Sequence, residues 1–185
     1  PYKMINLKQA WDIIKASGVK LNDVIVGVVD EEVNYGSDEL STGKSLIVPI
    51  DRKDMNEKEE LTHGTMVTEI IAGNGENGGL TGVASILGEN LQVNTTAGNN
   101  LSLIPLNKDK ADPENVSEFE YHGKIYAMES MKNIQKQIDN GATVINCSFG
   151  NKWKDYNLPQ HKDFSKVFKS FLERTQKKYT NVIIV

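Results

Sequence analysis

The sequence predicts an α/β fold, a mainly parallel sheet joined by crossover helices. Three observations carry that expectation. Residues 24–29, VIVGVV, form a continuous apolar run without alternation, as in a strand covered on both faces. Between such runs lie stretches whose apolar residues recur at helical spacing. The two kinds of segment alternate along the chain, the pattern of strand–helix–strand crossovers.

Each element follows from local chemistry. Leu7, Ala10, Trp11 and Ile14 fall at i, i+3, i+4, i+7 and predict a helix over 7–16, stopped by Ser17-Gly18. Residues 24–29 are the first strand, and 46–48 a shorter one. The run DRKDMNEKEE, 51–60, is a charged loop. A helix is expected over 63–72, burying Val67, Ile70 and Ile71, until GNGENGG breaks it. Residues 87–100 read as a loop or inserted hairpin, 101–106 as a strand, and 107–120 as a polar connection. Ala127, Met131, Ile134 and Ile138 form the stripe of a helix over 126–139, with Asn140-Gly141 as its stop. A strand follows over 143–148. Phe164, Val167, Phe168, Phe171 and Leu172 mark a further helix, and 181–185 open a last strand.

The 185 residues suit one domain, and neither an internal repeat nor a low-complexity tract is visible. A net charge of −4 with scattered lysines gives no footprint for nucleic acid. No apolar run approaches the roughly 18–20 residues that span a bilayer. The start of the chain does not read as a signal peptide. A single cysteine rules out an internal disulfide framework.

In open α/β sheets, sites gather beyond the carboxyl ends of the strands. Asp30 follows the first strong strand, Ser148-Phe149-Gly150 end a later one, and His63 opens the helix behind the charged loop. Asp30 could cap a turn, or orient a histidine. A histidine at a helix N-terminus sits in positive potential, which favours the neutral ring that a general base needs.

VIVGVVD, HGT at a helix start, GLTGVA and VINCSFG occur in that order. The ordered set resembles the subtilisin-like serine peptidases, the subtilases. The resemblance implies a subtilisin-like three-layer domain, truncated at its C-terminal side, of which residues 1–185 are the earlier, larger part. It implies Asp30 as the acid and His63 as the base of an Asp-His-Ser triad, with Gly64 and Thr65 completing the HGT motif. Ser148, Phe149 and Gly150 would wall the pocket for the residue before the scissile bond. Gly123 and Lys124, expected ahead of the 126–139 helix, would line the other wall. The family's later motifs, an oxyanion-hole Asn just after a strand like NVIIV and a nucleophilic Ser in a GTSxAxP-like helix start, do not occur in the chain.

The implied function is serine endopeptidase. The implied partners are a peptide or protein substrate, bound as an added strand, and the remaining part of its own domain. Residues 1–185 alone are expected to be inactive, because a triad without its nucleophile loses orders of magnitude in rate. A secreted or cell-surface location is favoured by the resemblance. No cofactor is required for the chemistry. Many family members hold a structural calcium, for which Glu39, Asn74, Glu76 and Asn77 are the oxygen donors expected here.

There are departures. Glu31 and Glu32 follow Asp30 where a small residue and Gly are usual, Glu69 replaces a Gly, and Ser85 replaces a Pro. They motivate an alternative, a catalytically inactive subtilase-like module that binds peptides. An unrelated α/β domain is a third possibility, and it predicts Asp30 and His63 far apart. Other patterns carry less. Gly73-x-Gly75-x-x-Gly78 follows a helix rather than a strand, the wrong context for a dinucleotide. Cys147, inside a strand, reads as a small buried residue. His122 and His161 lack zinc-ligand spacing.

Overall fold

The computed structural model describes residues 5–30, 32–50, 62–75, 79–96, 116–148 and 159–185. In chain order the elements are α1 (Leu7–Ser17), β1 (Val24–Val28), α2 (Asp38–Ser41), β2 (Leu46–Pro49), α3 (His63–Ala72), a kinked 3₁₀ segment (Ser85–Asn90), β3 (Leu91–Thr95), α4 (Val116–Asp139), β4 (Val144–Asn146), α5 (Pro159–Lys178) and β5 (Ile183–Ile184). Gly18, in the left-handed region at φ 64°, stops α1 as the Ser17-Gly18 signal predicts.

Among the described residues the five strands form one parallel sheet in the order β2-β3-β1-β4-β5. Both faces of β1 are covered. Val26 and Val28 point to one side, where they pack with Val93, Leu91, Ala72 and the partly buried Val67 and Ile71 of α3. Ile25 and Val29 point to the other, against Ile134 and Ile138 of α4, Ile145, and Phe168 and Phe171 of α5. Two apolar cores thus sandwich the sheet, the arrangement that a non-alternating run predicts. Side chains such as Ile134, Ile145 and Val93, all at 0 % exposure, each stabilise the fold by about 1.5–3 kcal/mol on burial.

Two expectations are corrected. Residues 91–95 are an inner strand paired in parallel with β1 and β2, not part of a loop or an inserted hairpin. Their polar members Gln92 and Asn94 disguise it. Asn94 is 1 % exposed yet hydrogen-bonded, its amide donating to Asn140 O at 3.2 Å and its carbonyl accepting from Gln92 Nε2 at 2.7 Å. α4 begins at Val116 rather than near residue 126. Gly123 and Lys124 therefore lie within a helix and not in an extended wall. The strand expected over 101–106 and the charged loop 51–60 lie outside the described residues.

The topology locates a cleft. From β1 the chain crosses to β2 on one side of it, whereas β4 continues to β5 on the other. Connections leaving neighbouring strands in opposite directions open a crevice beyond their carboxyl ends. Asp30 and Ser148 stand at that end of β1 and β4.

Candidate active site

β1 is held rigidly up to its tip. Val29 N donates to Asn146 O at 3.0 Å, and Thr96 N to Val28 O at 3.2 Å. Gln137 of α4 reaches under the strand, its Nε2 donating to Val28 O and Asn94 O, both at 3.1 Å. Gly27 permits this approach: a Cβ there would lie 2.9 Å from the Gln137 Cβ. The strand thus delivers Asp30 to a fixed, buried place, 3 % exposed.

A carboxylate so buried needs a partner, because an isolated one would be desolvated at a cost of several kcal/mol. Asp30 Oδ1 lies 2.7 Å from His63 Nδ1. The Asp30 side chain is 2 % exposed and that of His63 is 48 % exposed. Facing a carboxylate, Nδ1 carries the proton and donates it. The ring's lone pair then lies on Nε2. A domain with Asp30 and His63 far apart is excluded by this distance.

His63 is placed by the start of α3. Thr62 is the N-cap, its hydroxyl accepting from Thr65 N at 3.1 Å. Thr65, fully buried, accepts on Oγ1 from Asn34 N at 2.8 Å. Thr62 also donates to Glu32 O. Asn34 and Thr62 did not stand out in the sequence. The N-cap preference for Thr just before an apolar-periodic segment was the signal for Thr62.

The far end of α3 is closed by the GLTGVA segment. Val83 N and Ala84 N donate to Ile70 O and Ile71 O at 2.8 and 2.9 Å, and Gly82 N to Gly73 O at 2.8 Å. They satisfy carbonyls that a helix C-terminus leaves orphaned.

A family model described as the subtilase family matches residues 22–185. The chain belongs to the subtilases. No curated protein and no solved structure matched it. Membership brings a serine-peptidase type of function, and the all-parallel, helix-covered sheet is consistent with a subtilisin-like domain.

In this subtilase Ser148 is exposed just past β4, its Oγ accepting from Asn146 Nδ2 at 2.8 Å. Phe149 and Gly150 lie outside the described residues. Glu69, the departure in α3, turns away from His63 to the N-cap of α2: Ser37 Oγ donates to Glu69 Oε1 at 2.5 Å. Glu32 sits in the segment that Thr62 ties down, and Glu31 lies outside the described residues. Half-buried Cys147, beside Asp30, is no thiolate nucleophile. Burial first, and then the Asp30 charge, push its pKa up to about 12.

Glu39 and Asn74, two of the four oxygen donors expected for calcium, meet. Asn74 N donates to Glu39 O at 3.1 Å, and Glu39 Oε2 accepts from Gly75 N at 3.1 Å. The Asn74 amide donates to Thr42 Oγ1. Among the described residues no three His, Cys, Asp or Glu side chains assemble for a metal ion. Glu76 and Asn77 lie outside them. Glu39 thus clasps the backbone where α3 ends. Among the described residues, no helix is long and apolar enough to cross a membrane.

Proposed function

We propose that the chain is the acid-and-base part of a serine endopeptidase, with Asp30 and His63 as two members of an Asp-His-Ser triad. The observation that carries this is the 2.7 Å contact between buried Asp30 and the outward-facing ring of His63. His63 Nε2 takes the proton of a serine hydroxyl as its oxygen attacks the peptide carbonyl. The same nitrogen later gives that proton to the departing amine. Asp30 keeps the proton on Nδ1 in the reactant state and stabilises the imidazolium that forms in between. Ser148, exposed past the end of β4, borders the cleft, along which a peptide substrate lies as an added strand.

On this reading a serine that residues 1–185 do not supply completes the triad, and residues 1–185 alone are expected not to turn over substrate. A secreted or cell-surface location is proposed on family likeness only, and cell fractionation tests it.

The experiment compares residues 1–185 with the same chain extended along its reading frame. A fluorophosphonate probe is expected to label a serine of the extended protein only, together with hydrolysis of a peptide. Asp30→Asn should lower kcat on the order of 10⁴-fold, because it presents the wrong ring nitrogen. His63→Ala should remove labelling. Labelling that survives His63→Ala would overturn the assignment.

A further inference from the structure

We propose that Thr62 is a positioning residue, whose hydroxyl couples the segment after Asp30 to the helix start that carries His63. The proposal rests on the triad reading above only for its functional meaning. Its geometry stands apart from turnover.

Four contacts meet at two hydroxyls. Thr62 Oγ1 contacts Glu32 O, Thr65 N at 3.1 Å and Thr65 Oγ1 at 2.7 Å, and Thr65 Oγ1 contacts Asn34 N at 2.8 Å. A hydroxyl has one proton and two lone pairs. Glu32 O can only accept, so the single Thr62 proton goes there. In the Thr62–Thr65 contact, Thr65 is therefore the donor. Thr62 then accepts twice, from Thr65 N–H and Thr65 O–H, and its capacity is full. The chain of bonds has one direction: Asn34 N–H to Thr65, Thr65 to Thr62, Thr62 to Glu32 O.

The consequence is spatial. Glu32 and Asn34 belong to the segment that leaves Asp30, and Thr62 precedes His63 directly. Asp30 is fixed by β1 and His63 by α3, two elements that a change in docking would shift independently. The two hydroxyls bind the segment after Asp30 to the helix start that carries His63. A cap alone needs only an acceptor for Thr65 N–H. The additional proton sent to Glu32 O fixes where the helix start sits relative to Asp30.

The test reads the far-downfield proton resonance of the His63 Nδ1–H shared with Asp30, in the chain itself and without substrate. Thr62→Val keeps the shape and deletes the hydroxyl. It should weaken the resonance, with solvent exchange faster by about fivefold or more. Thr62→Ser keeps every bond and should match the parent. Thr68→Val removes a different bond of α3, to Gly64 O at 2.7 Å, and should leave the resonance in place. A parent-like resonance in Thr62→Val, or equal damage by Thr62→Ser or Thr68→Val, would refute the positioning role.

Should Thr62→Val not fold, amide exchange in the parent decides. Asn34 N–H is expected to be as protected as Thr65 N–H, and an unprotected Asn34 would refute the coupling. If the resonance behaves as stated yet the extended protein lacks peptidase activity, the triad assignment fails and the coupling stands.

Discussion

Cys147 shows how a single side chain takes its chemistry from its surroundings. It lies just past β4, against the Val29–Ile134–Ile145 core, and the negative charge of Asp30 is close by. Both factors disfavour a thiolate, so the folded thiol ionises only at about pH 12. The sign of the linkage is definite. Below about pH 9, the ordinary thiol value, folded and unfolded chains both carry the proton and Cys147 adds no pH dependence. Above it the unfolded chain loses its proton first, so stability drains away as pH climbs toward about 12. Cys147→Ala should flatten that part of the stability–pH curve in chemical denaturation. The parent thiol should resist a disulfide reagent at pH 8 and react once unfolded. The sequence placed Cys147 in a strand, which is enough to foresee low reactivity. That its neighbour would be the acid of the site needed the sheet order, and no local pattern encodes that.

Among elements, α3 is closed at both ends by contacts specific to it. The Thr62 cap secures its start, and the turn around Gly82 secures its end. A Cβ on Gly82 would stand 2.5 Å from Ala72 N and 2.6 Å from Gly73 N. These are backbone atoms that cannot swing aside. Gly82→Ala should therefore destabilise by about 1–3 kcal/mol or more, as overpacking does, visible as a lower urea midpoint with an unchanged m-value. Glycine in the GLTGVA motif is thus required by close approach. The same scale explains what the sequence hid. The bounds of α3 were legible to its last residue, but its stripe was not: Val67 and Ile71 are partly buried and Ile70, expected inside, is 47 % exposed. β3 was not legible, because Leu91–Thr95 mixes apolar and polar residues, and strand patterns rarely bury Asn. Its polar groups are matched from α4 and the turn after it, by Gln137 and Asn140, which lie far away in sequence. α4 was shortened because Gly123, read as a turn, interrupts the residues before its clear stripe.

At the scale of the whole molecule, protection should follow the sheet order. Among the described residues β1, β3 and β4 are each flanked on both sides, and β2 and β5 on one. Amide exchange followed by mass spectrometry should find β1 and β3 slowest and β2 at least about tenfold faster, since sub-global openings begin at sparsely packed margins. Uniform protection across all five strands would contradict this. The α/β class was readable from the chain because strands covered on both faces leave continuous apolar runs. The meeting of Asp30 with His63 was readable only through the ordered motifs. Periodicity gives faces and lengths, and it gives no strand order.

The central seat of β1 also bears on how the chain reaches this state. β1 leaves the ribosome before both of its sheet neighbours, which end at Thr95 and Asn146. Until those have emerged, the valines of a nascent β1 have bare backbone on both flanks and no sheet to join. Such long-range closure is slow, and an exposed apolar strand invites association with other copies. Synthesis of this subtilase should accordingly lean on chaperones that shield a strand until its neighbours emerge, more than a chain whose strands pair with the one just before them.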